Sequence, residues 1–490
     1  MTTRMGLDEE VCYRAVRSRD RRFEGRFIVA VETTGVYCRP GCPARTPSRR
    51  NVRFLPTPAA AEEAGFRACM KCRPDASPDS AAWLGTSATV ARALRLIDEG
   101  GLGSGVDALA GRLGMGGRHL RRLFTEQLGA PPRAIARTRK VHFARKLLEE
   151  TRLPMGAVAR SAGFRSLRRF NAAMKEAFGR PPRELRGLNG RRRVGPAPAR
   201  ELELCLPYRP PFDWDSLISF LAMRAIPGVE VVDGDSYRRT VKVAGREGTI
   251  RVSQLRGKQA LGLSVSLEVG PGLDKLVRRV RRLFDLDSDP DRIARDLRRD
   301  PALAPLVAAF PGLRVPGAWD GFETSVRAIL GQQVSVKGAT TLSGRLVEAH
   351  GERMAGGADG LTHHFPAPAV LSRTDLTKLG LPAARGRAIN ALAAAVRTRA
   401  ISLDAGADLA SAVSEMCGLE GIGPWTANYI AMRALGEPGA FPLGDLGLRQ
   451  ALGLAPAALE KRAEAWRPWR AYATMYLWKS LGQKHKEKTK

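Results

Sequence analysis

Five of the chain's seven cysteines fall in its first 72 residues, and four of them come in pairs: Cys38 and Cys42 in CRPGC, Cys69 and Cys72 in CMKC. The C-x3-C and C-x2-C pairs stand 26 residues apart. That spacing lets two short turns offer four thiolates to one tetrahedral ion, with Zn2+ the default occupant and a structural role the ordinary one. Cys12, Cys205 and Cys417 are scattered and read as small core residues. The second candidate for chemistry is Asp445, behind Phe441-Pro442 and ahead of the apolar Leu446 and Leu448. It stands 22 residues after Gly423 in the stretch GIGPWTANYIAMRAL. Gly421-Ile422-Gly423 is a tight turn between two apolar helical runs, and glycines let a backbone take positive φ and approach a ligand closely. The turn opens a helix, so its free N–H groups and dipole end suit an anion. A lone carboxylate after such a turn, in a very basic chain, points to chemistry beside a phosphate backbone.

Positioning these groups takes more than one core. At 490 residues the chain implies roughly three or four domains. Against 49 Asp+Glu there are 80 Lys+Arg, a formal net charge of +31, which predicts a polyanionic partner, nucleic acid first. No apolar run approaches the length that spans a bilayer, and MTTRMGLDEE is no signal peptide, so a cytoplasmic, nucleoid-associated protein without a membrane partner is expected. Cysteines in that compartment read as thiols or metal ligands. The fold class expected is multidomain, mainly α with α+β parts.

The segments TTGVYCRPGCPAR, NVRFL and AGFRACMKCRPD resemble the N-terminal zinc domain of the Ada family of the bacterial response to alkylation. The resemblance covers residues 1–80 and implies that Cys38, Cys42, Cys69 and Cys72 bind one Zn2+. It also implies that Cys38 is the nucleophile that takes a methyl group from a DNA methylphosphotriester. A Pro/Ser/Asp-rich linker near residues 73–80 ends this domain. Residues 84–188 then read as helices with an internal repeat: Leu109-Ala110-x-x-Leu113-Gly114 recurs as Val158-Ala159-x-x-Ala162-Gly163. Leu120, Phe124, Gly129 and Pro132 recur as Phe170, Met174, Gly179 and Pro182. Each unit places a glycine before a second helix, as a helix-turn-helix requires. Those second helices bring Arg118, His119, Arg121 and Arg122, then Arg165, Ser166, Arg168 and Arg169, to where bases and phosphates could be met. A generic basic bundle would also explain the pattern, but the duplication ending in G-x-P-P resembles the AraC-type DNA-binding domain, which implies promoter DNA as a ligand and leaves room for RNA polymerase as a partner.

Residues 189–200 are basic, Pro/Gly-rich and read as a linker. The P-C-H-R motif of the methylguanine methyltransferase that follows in Ada is absent, so repair of O6-methylguanine is not implied. Instead, residues 201–285 alternate apolar and polar residues as antiparallel strands with one or two helices, an α+β unit. From about residue 286 to 484 the chain reads as helical. PPFDW, FLAMRAI, GQQVSV, G-I-G-P-W-T-A and F-P-x-x-D-L-G-L-R together resemble the helix–hairpin–helix DNA glycosylases of the 3-methyladenine glycosylase II type. The lysine-rich end QKHKEKTK reads as a disordered tail.

That resemblance implies the following roles. Asp445 supports the sugar as the N-glycosidic bond of an N3- or N7-alkylated purine breaks. The cationic base, extruded from the stack, is held against Trp478, Trp425 and Tyr429. Phe220 is either an aromatic near the base pocket or plain core. Gln333 stands where family members insert a wedge, sometimes an apolar one. The hairpin Leu419–Pro424, with Gly421 and Gly423, binds a backbone phosphate and often a monovalent cation. Strand-cleaving members carry a lysine just after the hairpin glycines; this chain has Trp425, which implies a monofunctional DNA-3-methyladenine glycosylase II. A competing reading is a methylation-responsive transcription activator whose glycosylase half is inactive, and a third is a structural DNA-binding protein; the last leaves Cys38 and Asp445 idle.

Overall fold

The computed structural model describes residues 8–72, 74, 88–187, 201–403 and 409–488. Both expected linkers, 73–80 (Pro74 apart) and 189–200, lie outside them. The N-terminal unit opens with α1 (Glu9–Arg17) and builds a four-stranded sheet from β1 (Ile28–Val31), β2 (Val36–Cys38), β3 (Val52–Leu55) and, after α2 (Pro58–Glu63), β4 (Arg67–Ala68), in the order β3-β1-β2-β4. β2 and β4 run parallel, with Val36 opposite Arg67 and Tyr37 opposite Ala68. That register sets Cys38 beside Cys69, the residues that immediately follow the paired positions.

Seven helices come next: α3 (Ala88–Asp98), α4 (Val106–Gly111), α5 (Gly117–Leu128), α6 (Pro132–Glu150), α7 (Met155–Ser161), α8 (Leu167–Phe178) and α9 (Pro182–Gly187). The repeat in the sequence is a repeat in space. Helices α4/α5 and α7/α8 form the two turns, joined by α6. Leu120, Phe124, Phe170 and Met174 are fully buried at equivalent positions, and Gly129 and Gly179 end α5 and α8 in the left-handed region, at φ +72° and +69°. Both are C-caps that a side chain would strain.

Strands β5 (Glu201–Pro207), β6 (Glu230–Asp233), β7 (Ser236–Val243), β8 (Arg246–Gln254) and β9 (Ala260–Leu267) form an antiparallel sheet of order β5-β9-β8-β7-β6, with α10 (Trp214–Ala222) between β5 and β6. Alternation along β9 turns Leu261, Leu263, Val265 and Leu267 inward, the period-2 pattern of a half-buried strand. α11 (Leu273–Leu283) buries Leu276, Val277 and Val280. Helices α12 (Pro290–Leu297), α13 (Ala304–Ala309), α14 (Gly321–Leu330), α15 (Val336–His350), α16 (Pro368–Leu371), α17 (Ala383–Arg397), α18 (Leu409–Cys417), α19 (Pro424–Arg433), α20 (Leu446–Leu452), α21 (Pro456–Ala463) and α22 (Arg470–Lys488) make the last unit. It is not purely helical: β10 (Glu352–Ala358) and β11 (Leu361–His364) form a ribbon after α15. The end read as a disordered tail continues α22 as helix to Lys488. None of the described helices is long and apolar enough to cross a membrane.

The units are tied by charge and by shared core. Asp98 at the end of α3 accepts from Arg139 of α6 and Arg278 of α11, Glu99 takes Arg282 at 2.6 Å, and Arg95 pairs with Glu437 beyond α19. Arg26 reaches Asp289 at 2.7 Å. β5 is an edge strand, and α6 covers it: Glu150 accepts from the Cys205 N–H at 2.9 Å while Lys146 donates to the Cys205 carbonyl. One apolar cluster runs from Tyr37 through α6–α8 into the five-stranded sheet and the last helices, while α3–α5 keep a core of their own.

Candidate metal centre and active site

The sulfur atoms of Cys38, Cys42, Cys69 and Cys72 all lie within 4.8 Å of one another. Cys69 is fixed by its N–H to the Tyr37 carbonyl (2.9 Å), and Cys42 by its N–H to the Arg39 carbonyl (3.2 Å). Four sulfurs converging without another donor fit one tetrahedral Zn2+ and no harder ion. Packed so closely, the thiols share protons: hydrogen bonding to Cys42, Cys69 and Cys72, with burial after it, pushes Cys38 well up, while the bond from Cys38 holds Cys42 down at about 7. All four ionise together only around a cation. Cys38 and Cys42 are half-buried and Cys69 and Cys72 buried, so Cys38 is among the two that a reagent can reach.

Tyr37, one residue before Cys38, carries the unit's link to the helices. Its hydroxyl donates to Glu62 at 2.9 Å and lies 3.1 Å from Nε2 of His142 on α6, and Thr138 of α6 donates to the same carboxylate. Burial pushes Glu62 up, but its bond to His142 and the charge there outweigh that and lower it on balance. Further along, Arg118, His119, Arg121 and Arg122 on α5 are exposed, as are Arg165, Arg168 and Arg169 at the start of α8. Arg121 is tethered to Asp107 at 3.3 Å; neither set is buried in the bundle, as a purely structural role would require.

Asp445 caps α20 and accepts three N–H bonds. Trp425 Nε1 reaches Oδ2 at 2.9 Å, Trp478 Nε1 reaches Oδ1 at 3.0 Å, and the Leu448 amide reaches Oδ1 at 2.9 Å. A cavity of about 450 Å³ opens beside it, lined among others by Phe220, Trp319, Trp425, Tyr429 and Trp478. Phe220 is 9% exposed and so packs as core, and its ring also lines this cavity. Trp425 stacks on Tyr429 with centroids 5.4 Å apart and planes at 13°, and Trp478 leans on Tyr429 at 6.2 Å. The two indoles thus aim their N–H groups at the carboxylate, and one face of Tyr429 is already covered.

The sequence reading did not single out the cavity's arginines. Arg239 pairs with Glu323 at 2.8 Å, and Arg327 with Glu230 at 3.0 Å and Glu323 at 3.4 Å. Arg224 and Arg433 have no carboxylate partner among the described residues. The Arg224 guanidinium lies 3.7 Å and that of Arg433 4.7 Å from the centre of the Phe220 ring. Arg433 donates to the Tyr429 hydroxyl at 3.0 Å and to the carbonyls of Pro316 and Gly317. Burial holds Arg224 down at about 10 and lowers Arg433 as well. Burial pushes the Tyr429 phenol up, but Arg433, then Arg224 and Arg327, outweigh it and lower it on balance. The signal was in the sequence: Phe220/Arg224 and Tyr429/Arg433 are both aromatic–arginine pairs at i,i+4 spacing, the second on one face of α19 and the first running from α10 into the turn that ends it.

The hairpin Gly418–Gly423 joins α18 to α19. Gly421 sits at φ +78°, and a Cβ there would stand 2.6 Å from that of Ala388 on α17, so both conformation and space demand glycine. Among the described residues the N–H groups of Gly421 and Gly423 find no internal acceptor, as an anion site at a helix start requires. Across from it, Gln333 is exposed in the loop before α15 at φ +54°, a conformation a side chain adopts at some cost and one that clusters at functional sites. Its neighbour Gln332 donates to the Gly421 carbonyl (2.9 Å) and to Thr426 Oγ1 (3.0 Å), and Arg385 of α17 donates to the Gln332 carbonyl (2.6 Å). The two loops are therefore one unit. Gln333 itself does not line the cavity, although Val334 and Val336 do.

Residues 11–75 match the family described as the metal binding domain of Ada, residues 109–187 a helix-turn-helix domain family, and residues 203–320 the AlkA N-terminal domain. A relative from Mycobacterium tuberculosis, the "probable bifunctional transcriptional activator/DNA repair enzyme AlkA", is 46% identical over 482 residues, 97% of each chain. The DNA-3-methyladenine glycosylase 2 of Escherichia coli is 35% identical across 56% of this chain and 97% of its own length. The "bifunctional transcriptional activator/DNA repair enzyme Ada" of the same organism is 35% identical across 26% of this chain and 35% of its own. With four convergent cysteines, a duplicated helix-turn-helix and a carboxylate set on an aromatic cavity in one polypeptide, the chain belongs to the family of AlkA-type bifunctional transcriptional activator/DNA repair proteins that carry an Ada-type metal-binding domain.

Proposed function

We propose that the chain repairs alkylated double-stranded DNA and reports the damage. Its C-terminal half hydrolyses the N-glycosidic bond of N3- and N7-alkylated purines such as 3-methyladenine. The observation that carries this reading is Asp445, held by two indoles and an amide on the wall of an aromatic cavity of base size. As the bond between C1′ and the base breaks, the electron pair leaves with the base and positive charge grows on the sugar. Asp445 opposes that charge. Because both of its oxygens already accept N–H bonds, its orientation is fixed in advance, which favours electrostatic support and placement of water over long-range proton capture. Water then bonds to C1′ and releases its proton. No lysine is among the residues that line the cavity, and Trp425 stands where a Schiff-base amine would, so the reaction ends at an abasic site with the strand intact. The hairpin amides would hold a backbone phosphate, the loop carbonyls a monovalent cation, and Gln333 the gap left by the base.

The linkage of Gln332 to Gly421 and Thr426 supports that wedge assignment. Gln332→Ala should slow excision from fully paired duplex roughly tenfold, the scale of one or two neutral hydrogen bonds. It should slow excision much less when the lesion faces an abasic site and is already loosely held. Single-turnover rates on the two duplexes check this, and an equal loss on both would leave Gln332 a packing residue.

The N-terminal half would accept one methyl group on Cys38. The Cys38 Sγ–CH3 bond forms as the O–CH3 bond of a methylphosphotriester breaks, the phosphate oxygen keeping the electron pair. Bound zinc supplies the means of keeping the four sulfurs as thiolates at neutral pH. A thioether has no easy way back, so the transfer is stoichiometric, and it removes negative charge beside DNA, which would strengthen promoter binding through α5 and α8. After incubation with methylphosphotriester DNA, mass spectrometry should find one added methyl on the peptide that contains Cys38. A methyl on Cys42, Cys69 or Cys72 would move the acceptor, and none at all would leave a purely structural zinc.

A further inference from the structure

A second cavity, of about 460 Å³, lies where the helix-turn-helix unit meets the C-terminal half, and its size is that of a small-molecule site. It backs onto the base cavity, because Gly317, Ala318, Trp319 and Arg433 line both. Nine arginines and lysines line it against six carboxylates. The carboxylates are already engaged. Asp98 accepts from Arg139 and Arg278, Glu99 from Arg282, Glu437 from Arg95 and Asp287 from Arg281. Asp285 accepts from the Tyr472 hydroxyl at 2.8 Å, and Asp320 caps α14. The excess charge sits on α11. Lys275/Arg279 and Arg278/Arg282 are like-charged pairs at i,i+4, which weaken a helix unless something offsets them. Asp98 and Glu99 offset the second pair. Among the described residues no carboxylate offsets the first: Arg279 is half-buried, 5.6 Å from the centre of the Trp319 ring, and Lys275 is exposed. Arg112, just beyond α4, approaches from the other unit. A Cβ on Gly100 would stand 3.3 Å from Lys275 Nζ and one on Gly101 3.2 Å from Arg112 Nη1, so the two cations flank one turn. Elsewhere the wall carries Leu94, Leu403, Met432 and Leu435.

We propose that this cavity binds a free nucleoside diphosphate, its phosphates held by Lys275, Arg279 and Arg112 and its base by the apolar wall, and that the occupant acts on the base cavity through Trp319. Phosphate oxygens take charge-assisted bonds from guanidinium and ammonium groups, and the leucines and methionine suit the flat ring of a base. Trp319 carries two guanidiniums, that of Arg279 from the interdomain cavity and that of Arg239, at 4.8 Å, from the base cavity. A phosphate that draws Arg279 away leaves the ring held from the base cavity alone, so occupancy slows excision. Only this last effect rests on the glycosylase reading above.

Calorimetric titration of the zinc-loaded, full-length protein with ADP is the test. One ADP per chain is expected, with adenosine failing to bind at the same concentration. Pyrophosphate should bind at least roughly tenfold more weakly than ADP, because it leaves the apolar wall uncovered. Lys275→Gln, at an exposed position that the fold does not need, should weaken ADP about threefold, the scale of an exposed charge pair. Lys275→Gln/Arg279→Gln should weaken it at least roughly tenfold, and Glu99→Gln, which releases Arg282, should tighten it. No ADP bound by wild type, or equal affinity in the double variant, would overturn the proposal. Pyrophosphate binding as tightly as ADP would do the same, since the cavity would then be a plain oxyanion site. If the double variant changed only the salt dependence of DNA binding, the two cations would belong to a backbone phosphate and the proposal would fall. Saturating ADP should slow the release of 3-methyladenine at least about fivefold in wild type and leave the double variant's rate unchanged. A wild-type rate indifferent to ADP would overturn the link through Trp319, whereas no release even without ADP would sink only the glycosylase reading.

Discussion

Asp445→Asn should lower the release of 3-methyladenine at least about a hundredfold, the usual scale for one electrostatic or acid–base group. The geometry sharpens the expectation. Asp445 receives an indole N–H on each oxygen and the Leu448 amide besides. An amide can accept on one oxygen only, so its NH2 must face either Trp425 or Trp478, donor against donor. The variant therefore loses the charge and also unsettles one wall of the cavity, at roughly 1–3 kcal/mol for the unpaired donor. The fold should survive, because helix capping at Leu448 can be kept by the remaining oxygen. DNA binding should survive too, since one negative charge beside phosphates has gone. Chromatography of free base under single-turnover conditions, beside a binding titration, is the measurement. Undiminished release would move the chemistry elsewhere, and a wild type that releases nothing would leave the regulator reading.

Cys69→Ala should have the largest effect on stability. A structural zinc contributes on the order of 10 kcal/mol of folding free energy, more than a small sheet with two short helices stores by itself. Cys69 also follows the strand pair that aligns β2 with β4, so its loss removes a ligand and frees the end of both strands. The variant should purify with no zinc, and hydrogen exchange at Val29 and Tyr37 should rise to that of an unfolded segment. Because Tyr37, Ala61 and Ala68 share a core with α6 and α8, protection at Val141 and Phe170 should fall as well, though less. Stoichiometric zinc with protected amides in this variant would show that three cysteines suffice.

What was legible in the sequence was local. The cysteine pairs lie within turns, the glycines of the repeat fix helix ends, and Asp445 lies a short helix and a turn away from the hairpin. What was not legible depends on partners far apart in the chain. Nothing in CRPGC or CMKC says that β2 and β4 run parallel in the one register that sets Cys38 beside Cys69. The i,i+4 spacing of Arg224 and Arg433 from their aromatics could have been noticed, but that both gather on one ring needs α10 and α19 side by side. Gln332 hid for a related reason. It adjoins Gln333 in GQQVSV, and only the approach of the hairpin reveals that the first glutamine holds while the second projects. The ribbon β10–β11 went unseen because Glu352–Ala358 shows no alternation and is almost wholly exposed.

The cover that α6 gives to β5 has a meaning beyond packing. A strand at the rim of a sheet is a template for whatever chain arrives next, and proteins ordinarily blunt such rims with charge, proline or brevity. Here Lys146 and Glu150 occupy the two hydrogen-bonding groups of Cys205, so a helix of the helix-turn-helix unit doubles as the selvedge of the C-terminal half's sheet. Evolutionary or experimental separation of the two halves is thus asymmetric. The N-terminal half would lose a neighbour, whereas the C-terminal half would gain an adhesive border and would have to find another way to stay solitary.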